Sequence, residues 1–272
     1  MSRYAAMFDR LAARGEGAFG AFLMLGDPNL ETSAALLDAV AEGGADMVEV
    51  GIPFSDPVAD GPVIQAAAQR ALGAGVRVAD CFGLIAEFRA RHPLVPVGIL
   101  TYANIVVARP DFVRAAAESG ADSLLIADLP ACEAEPFVQE MDRAQIAPVL
   151  IGAANTPDAT LARIATLSKA YTYCVSRSGI TGTHEGGQFD RELIGRLVRF
   201  GAPPPVFGFG ISTPEHVRAA LDAGAAGVIC GSAIVDLAPR GGNVVNLVGL
   251  LKAATLNNKA PERLAGAMIE TP

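Results

Sequence analysis

The sequence predicts an α/β fold of the (β/α)8 TIM-barrel class, with an N-terminal helix and an extra helix after the second strand. Eight apolar runs alternate with segments whose apolar residues recur at helical spacing, and no charged linker divides them. The near-equal spacing of the runs favours this barrel over a doubly wound open sheet. Because α/β barrels reach 272 residues as one unit, we expect residues 1–272 to form a single domain.

The predicted elements are bounded by turn signals. The first apolar run, Ala18 to Leu25, ends at Gly26-Asp27-Pro28, and Gly43-Gly44 closes the helix that follows. The predicted strands cover 18–25, 46–52, 95–102, 123–129, 147–153, 170–176, 205–211 and 226–231. The predicted helices cover 4–14, 30–42, 63–74, 78–91, 112–119, 136–144, 160–167, 192–200, 215–223 and 244–256. Two of these helices share the interval after the second strand, which is therefore longer than the others.

Charge and hydropathy exclude several classes of protein. The formal net charge is −8 and no Lys/Arg cluster occurs, which argues against a nucleic-acid partner. The N-terminus has no signal-peptide pattern, and no apolar run reaches the roughly 20 residues that cross a bilayer. We therefore expect a cytoplasmic protein that does not contact a membrane.

The cysteines and histidines predict neither a disulfide framework nor a metal site. The four cysteines are too far apart for a zinc ribbon or a redox pair, a usage typical of a reducing cytoplasm: Cys81, Cys132, Cys174 and Cys230. The histidines are scattered, without a second metal-type ligand beside any of them: His92, His184 and His216. A strand–GxGxxG–helix unit is also absent, so we expect no dinucleotide cofactor.

A carboxylate lies inside the second predicted strand, and two more follow on a proline-rich loop. Glu49 is surrounded by apolar residues, and acids are rarely buried unless they are paired or functional. Asp56 and Asp60 lie on the loop 53–62, whose three prolines reduce its conformational freedom. A buried carboxyl beside a wetter one suits acid–base chemistry. Each acid alone could instead be a satisfied core group or an ordinary turn residue.

Glycine-rich turns follow the seventh and eighth predicted strands, at Gly208-Phe209-Gly210 and Cys230-Gly231-Ser232. Barrels often bind a substrate phosphate there, because glycine lets backbone N–H groups approach an anion. The alternative is that these glycines only relieve crowding at tight turns. The loop 177–187 after the sixth strand is also glycine-rich, and it is either a lid or a slack connection.

The chain resembles the α subunit of tryptophan synthase across nearly its whole length. The most specific segment is Glu49 to Pro62, EVGIPFSDPVADGP. Supporting segments are FLMLGDP at 22–28, TYAN at 101–104, ADLP at 127–130, YCVSRSGITG at 173–182, GFGIS at 208–212 and Gly231-Ser232. The resemblance implies a lyase that performs a retro-aldol cleavage of indole-3-glycerol phosphate to indole and glyceraldehyde 3-phosphate, without a cofactor in this chain.

The resemblance also implies the roles of individual residues. The acid matching Glu49 would move protons at the indole carbon and the side-chain hydroxyl, and the acid matching Asp60 would accept the indole N–H. The implied phosphate contacts are Gly182, Gly210, Gly231 and Ser232. The implied indole-pocket and side-chain contacts are Phe22, Leu100, Ala127, Tyr173, Thr181, Phe209 and Ile211.

A partner is implied as well. In this family the α subunit docks on a pyridoxal-phosphate-dependent β subunit, in an α2β2 tetramer. The docking face would include Pro53, Asp56, Asn104 and the segment after Asp128.

Three other functions stay open at this point. A free-standing indole-3-glycerol-phosphate lyase would share these motifs and need no partner. A non-catalytic regulatory subunit would be expected to lack Glu49 or Asp60, and both are present. A sugar-phosphate isomerase could use the same barrel, since fold alone does not fix function.

Overall fold

The computed structural model describes residues 2–175 and 189–256. Its strands are all parallel and belong to one sheet. They are β1 (Ala18–Met24), β2 (Met47–Gly51), β3 (Val97–Thr101), β4 (Ser123–Ile126), β5 (Ala147–Val149), β6 (Ile151–Ala153), β7 (Thr172–Val175), β8 (Pro205–Phe207) and β9 (Gly227–Cys230). The order across the sheet is β5-β4-β3-β2-β1-β9-β8-β7-β6. Because β5 and β6 are consecutive parts of one segment, the two ends of this order meet and the sheet forms a nearly closed barrel.

The helices surround the sheet and alternate with its strands. They are α1 (Arg3–Arg14), α2 (Leu30–Glu42), α3 (Pro62–Gly73), α4 (Val78–Arg91), α5 (Ala103–Val107), α6 (Phe112–Glu118), α7 (Glu135–Arg143), α8 (Asp158–Leu167), α9 (Arg191–Arg199), α10 (Pro214–Asp222), α11 (Ser232–Leu237) and α12 (Val244–Ala253). A short 3-10 turn, Ala238–Arg240, follows α11. Within the described ranges, no helix is long and apolar enough to cross a membrane.

The predicted barrel, its N-terminal helix and the extra helix after the second strand are confirmed. The fifth predicted strand is divided into β5 and β6 at Leu150, whose N–H donates to the Ser168 hydroxyl at 3.3 Å. On either side of that residue the neighbouring strand changes from β4 to β7. The seventh strand ends at Phe207 rather than at Ile211. Helices α5 and α11 were not predicted, because five or six residues are too few to show helical periodicity.

Side chains point alternately to the two faces of the sheet along each strand, and this creates two apolar layers. The outer cluster lies between sheet and helices and contains Phe19, Val50 and Phe207. The second cluster fills the barrel interior and contains Phe22 and Met47. Since successive side chains of a strand point to opposite faces, β2 directs Glu49 inward together with Met47 and directs Val48 and Val50 outward.

Helix α1 packs at the amino ends of the strands. It buries an apolar stripe at helical spacing, and the Tyr4 hydroxyl lies 3.0 Å from the Ser123 hydroxyl at the start of β4. Arg3 and Arg89 both bind Asp122, with N–O distances of 2.8 and 2.6 Å. The opposite end of the barrel, where the strands lead into helices, carries the predicted acids.

Candidate active site

Glu49 lies at the centre of the barrel interior. Its neighbours in the β-sheet register are Phe22 on β1 and Gly98 on β3. The residue is only 2% exposed. The Tyr171 hydroxyl donates a hydrogen bond of 2.8 Å to Glu49 Oε1. Among the described residues, no group lies within hydrogen-bonding distance of Oε2.

Burial controls the ionisation of this carboxyl. Removal from water raises the pKa of Glu49 from its ordinary 4.5 to about 7, the hydrogen bond from Tyr171 opposes that rise, and the negative charge of Asp60 adds to it. Glu49 therefore exchanges a proton near neutral pH. A carboxyl with this property can act both as an acid and as a base.

Asp60 occupies the end of the loop that connects β2 to α3, and it is less buried than Glu49. Burial raises the pKa of Asp60 to about 6, and a hydrogen bond from the Tyr102 hydroxyl lowers it. Gln65 Nε2 donates to the Asp60 carbonyl at 2.7 Å, which fastens the loop to the first turn of α3. At neutral pH, Asp60 is mostly a carboxylate whereas Glu49 retains much of its proton.

Beneath Glu49, a cluster of hydroxyl groups converges on Gly98. A Cβ atom at Gly98 would lie 2.8 Å from Ser123 Oγ and 2.9 Å from the Tyr4 hydroxyl oxygen. The Tyr4 and Tyr171 rings lie 5.5 Å apart between centroids. Glycine at position 98 therefore provides the space for the hydroxyl groups of Ser123 and Tyr4, whereas the Tyr171 hydroxyl would lie 3.8 Å from a Cβ atom there, an ordinary contact.

Tyr173 and Phe209 form one wall of the interior above the acids. Their ring centroids are 5.9 Å apart in an edge-to-face arrangement. Burial raises the pKa of Tyr173 far above its ordinary value, so its hydroxyl is protonated. A Cβ atom at Gly208 would lie 2.0 Å from the Tyr173 Cζ atom, so only glycine fits beside this ring.

Four of the predicted indole-pocket residues belong to the interior cluster with Tyr173, and a fifth does not. The four are Phe22, Leu100, Ala127 and Phe209. Ile211 is buried in the outer cluster, between the sheet and the helices. Its carbonyl accepts from the Cys230 thiol at 3.2 Å. The structure therefore does not bring Ile211 together with the other predicted pocket residues.

The predicted phosphate residues lie where β8 and β9 end. Gly210 is exposed with a φ of +77°, and a Cβ atom there would meet nothing within 4 Å. Gly231 precedes α11 and Ser232 is its first residue. The predicted contacts Gly182 and Thr181, and the predicted lid loop 177–187, lie outside the described residues.

The predicted docking residues are near the acids in the chain but differ in exposure. Pro53 is buried at the end of the second strand, whereas Asp56 is exposed on the loop and is not part of the barrel interior. Asn104 is exposed on α5. Two exposed apolar residues accompany them, Val58 at 76% and Val107 at 65%.

Among the residues that the structure describes, no group of three or more His, Cys, Asp or Glu side chains is placed to hold an ion. The acids of the site instead bind hydroxyl groups, with Tyr171 at Glu49 and Tyr102 at Asp60.

Sequence reasoning assigned no role to Tyr171 or Tyr102. Tyr171 is two residues before Tyr173, and this spacing of two on one strand indicates that both rings point to the same face. Tyr102 is the last residue of the third predicted strand and directly follows β3, at the end of the barrel where functional side chains are placed. These signals were available, but they do not show which acid each hydroxyl reaches.

Comparison with known proteins identifies the family. The family model of the tryptophan synthase alpha chain matches residues 8–253. The chain belongs to this family. It is 49% identical to the tryptophan synthase alpha chain of Klebsiella pneumoniae over 243 residues, covering 88% of this chain and 90% of that protein. It is 47% identical to the Escherichia coli alpha chain over 240 residues, covering 87% and 90%.

Solved structures agree with this assignment. A structure of Mycobacterium tuberculosis tryptophan synthase superposes with a TM-score of 0.86 at 30% identity, covering 93% of this chain and 98% of that chain. The tryptophan synthase complex of Pyrococcus furiosus gives a TM-score of 0.78 at 34% identity, covering 88% and 98%.

Family membership confirms the predicted function. Tryptophan synthase alpha chains are lyases of class EC 4.2.1.20 that cleave indole-3-glycerol phosphate to indole and glyceraldehyde 3-phosphate in tryptophan biosynthesis. The alpha chain uses no cofactor, and pyridoxal phosphate sits in the beta chain. Alpha chains of this family form a complex with the beta subunit.

The buried carboxyl predicts a specific dependence of stability on pH. Below about pH 4.5, Glu49 is protonated in both the folded and the unfolded chain. Between about 4.5 and 7, the unfolded chain releases this proton and the folded chain keeps it, so the contribution of Glu49 to stability falls as pH rises. The substitution Glu49→Gln, which cannot ionise, should therefore become more favourable relative to the wild type by roughly 3 kcal/mol between pH 4 and pH 8.

Urea denaturation of both proteins at several pH values measures this difference. Gln69→Ala, an exposed substitution on α3 that removes no ionisable group, is the control and should show a difference that does not change with pH. Parallel stability curves for wild type and Glu49→Gln would contradict a raised pKa at Glu49.

Proposed function

We propose that Glu49 is the proton-transferring residue of the cleavage reaction and that Asp60 is its electrostatic partner. Glu49 is the acid whose surroundings are apolar and whose pKa is raised to about 7. This observation carries the proposal, because the reaction needs one group that both donates and accepts a proton. General acid–base catalysis of this kind contributes roughly 10²–10⁴ in rate.

The proton balance of the reaction suits a single carboxyl. Protonated Glu49 donates its proton to C3 of the indole ring, which gives an indolenine-like cation. The resulting carboxylate then accepts the proton of the side-chain hydroxyl while the bond between C3 and the side chain breaks. Indole and an aldehyde leave, and Glu49 is protonated again. The hydrogen bond from Tyr171 to Oε1 leaves Oε2 available for these transfers.

Asp60 complements this cycle because it is ionised when Glu49 is not. Its carboxylate accepts the indole N–H and stabilises the positive charge that develops on the ring after C3 is protonated. An oriented charge beside a developing cation is an effective form of catalysis in a site of low polarity. The separation of the two pKa values, about 7 for Glu49 and about 6 for Asp60, supports these different roles.

The remaining predicted contacts divide between the two ends of the substrate. The apolar interior would hold the indole ring, and the protonated Tyr173 would face the side chain. The indole contacts are proposed to be Phe22, Leu100, Ala127 and Phe209, with Thr181 contributing to the side-chain end. The phosphate contacts are proposed to be Gly182, Gly210, Gly231 and Ser232.

The partner surface is proposed to be the face formed by the β2–α3 loop and α5. Asp56 and Asn104 are exposed there, Pro53 stiffens the start of the loop, and Val58 and Val107 add apolar area. Exposed apolar residues with a polar surround are typical of interaction sites. We propose that this face docks the beta subunit in an α2β2 tetramer, in a reducing cytoplasm where Cys132 and the buried cysteines stay unpaired.

Replacing Glu49 by glutamine tests its role directly. Glutamine keeps the shape of the side chain and still accepts the hydrogen bond of Tyr171, but it cannot transfer a proton. We expect indole release by Glu49→Gln to fall by at least 10²-fold while the dissociation constant of indole-3-glycerol phosphate changes little. Stopped-flow turnover and equilibrium titration measure the two quantities. Near-normal turnover would remove Glu49 from the proposed acid–base role.

A charge at position 210 tests the phosphate site. Gly210 has a positive φ, and a new side chain there meets open space. Gly210→Asp and Gly210→Asn impose similar backbone strain, since both residues tolerate this conformation, and only Asp adds a negative charge. We expect KM to rise more than tenfold further for Asp than for Asn. Equal KM values in the two variants would place the phosphate away from Gly210.

Indole release with and without a beta subunit tests the docking face and the lyase alternative. We expect slow release by the isolated chain, a strong acceleration by the beta subunit, and loss of that acceleration in Asp56→Ala. The activity of isolated Asp56→Ala, measured in parallel, controls for damage to the site. Fast release that the beta subunit does not accelerate would favour a free-standing lyase.

A further inference from the structure

Tyr102 contacts the catalytic loop at three separate points. Its ring stacks on Phe54, with centroids 5.3 Å apart and planes inclined by 30°. Its hydroxyl oxygen accepts the Ala59 N–H at 3.2 Å. The same hydroxyl lies beside the Asp60 carboxylate, whose pKa it lowers. One side chain, 2% exposed, thus spans the loop from its beginning to the acid at its end.

The direction of these hydrogen bonds follows from the number of donor and acceptor positions that each group has. A phenol has one hydrogen to donate, and the Ala59 N–H already uses one of its acceptor positions. An ionised carboxylate can only accept. The single hydrogen of Tyr102 is therefore not used by the Ala59 N–H, and the neighbouring Asp60 carboxylate is an acceptor for it. A hydrogen bond to a charged acceptor is stronger than one between neutral groups.

Tyr102 is itself held by the strands rather than by the loop. It follows β3 directly and precedes α5, whose first N–H, at Ala103, donates to Asp128 Oδ1 at 2.7 Å. Asp128 lies just after β4. The position of the Tyr102 ring is therefore set by the ends of two neighbouring barrel strands.

We propose that Tyr102 is a positioning residue for Asp60, because its ring on Phe54 and its hydroxyl at the Ala59 N–H hold the loop that carries this carboxylate. This inference rests on the role proposed above for Asp60. Tyr102 does not need to touch the substrate in order to act, because it fixes the group that does. Substituting phenylalanine retains the stack on Phe54 and removes only the hydrogen bonds.

The ionisable groups around Asp60 allow this proposal to be tested through the pH dependence of activity. Glu49 on β2 and Tyr173 on β7 interact with Asp60 electrostatically, and Asp128 faces Tyr102 from beyond β4. The Tyr102 bond is the interaction that lowers the pKa of Asp60 against the effect of burial. Without that bond, Asp60 should take up a proton at a higher pH.

The test is the pH profile of indole release by Tyr102→Phe, with the beta subunit present. We expect kcat to fall by about 10- to 100-fold, the loss expected for one hydrogen bond to a charged group, while KM changes less than threefold. The acid limb of the kcat/KM profile should move to higher pH. In an Asp60→Asn background, where no charge remains to orient, the same substitution should change the residual rate less than twofold.

Two controls distinguish a loss of Asp60 positioning from the general effects of removing a buried hydroxyl or destabilising the fold. Thr172→Val removes another buried hydroxyl, which donates to the Pro203 carbonyl and does not contact Asp60, so its pH profile should match the wild type. Urea denaturation of each variant reports any loss of fold. If Asp60→Asn is inactive while Tyr102→Phe keeps the wild-type rate and profile, the positioning role is wrong and the role of Asp60 stands. If Asp60→Asn is fully active, both proposals fail.

Discussion

The burial of one carboxyl group in an apolar barrel interior is the constraint on which this active site depends. An ionised Glu49 would lose its hydration, so the folded protein favours the protonated acid until about pH 7. Within residues 2–175 and 189–256, the one donor that reaches it is Tyr171, which partly offsets this effect and fixes one carboxyl oxygen. The apolar core therefore has two functions at once: it stabilises the barrel and it tunes the acid.

Large side chains placed opposite glycines make this interior possible. Gly98 leaves room for Tyr4 and Ser123 beneath Glu49, and Gly208 leaves room for the ring of Tyr173. On β2 itself, a Cβ atom at Gly51 would lie 2.8 Å from the Phe22 ring. In each case the glycine and the side chain that occupies its space come from different parts of the chain: β3 with α1 and β4 at Gly98, the end of β8 with β7 at Gly208, and β2 with β1 at Gly51. Protein interiors are close-packed, so a methyl group at any of these glycines would displace a side chain of the site.

Much of the fold, and the burial of Glu49, could be predicted from the sequence, because each rests on a local pattern. Apolar runs, helical spacing and glycine turns gave the barrel, and a carboxylate in an apolar run identified Glu49. The end of β8 shows where local patterns stop. The resemblance to the family placed Ile211 in the pocket, whereas a strand continued from Phe207 would direct it outward, and Ile211 does lie in the outer layer. Phe209 is the residue that leaves this phase: β8 ends at Phe207, the backbone turns at Gly210 with a φ of +77°, and Phe209 packs against the interior cluster.

The hydroxyl groups that serve the acids could not be assigned in the same way. Tyr171 is 122 residues from Glu49 in sequence, and their contact depends on how the barrel closes. Tyr102 is 43 residues from Ala59, and it reaches the loop only because β3 lies beside β2 in register. Sequence indicates which residues carry the chemistry, whereas the cross-strand register decides which residues hold them in place.

This division explains how two acids on one short segment can have different environments. Glu49 is fixed by β2 within the apolar interior. Asp60 lies eleven residues later, on a loop stiffened by Pro53, Pro57 and Pro62, and this loop is held from the end of β3 by Tyr102. Burial raises the pKa of both acids, with Tyr171 opposing the rise at Glu49 and Tyr102 opposing it at Asp60. The two sites remain coupled, because the negative charge of Asp60 adds to the rise at Glu49 and so favours the protonated form of the more buried acid.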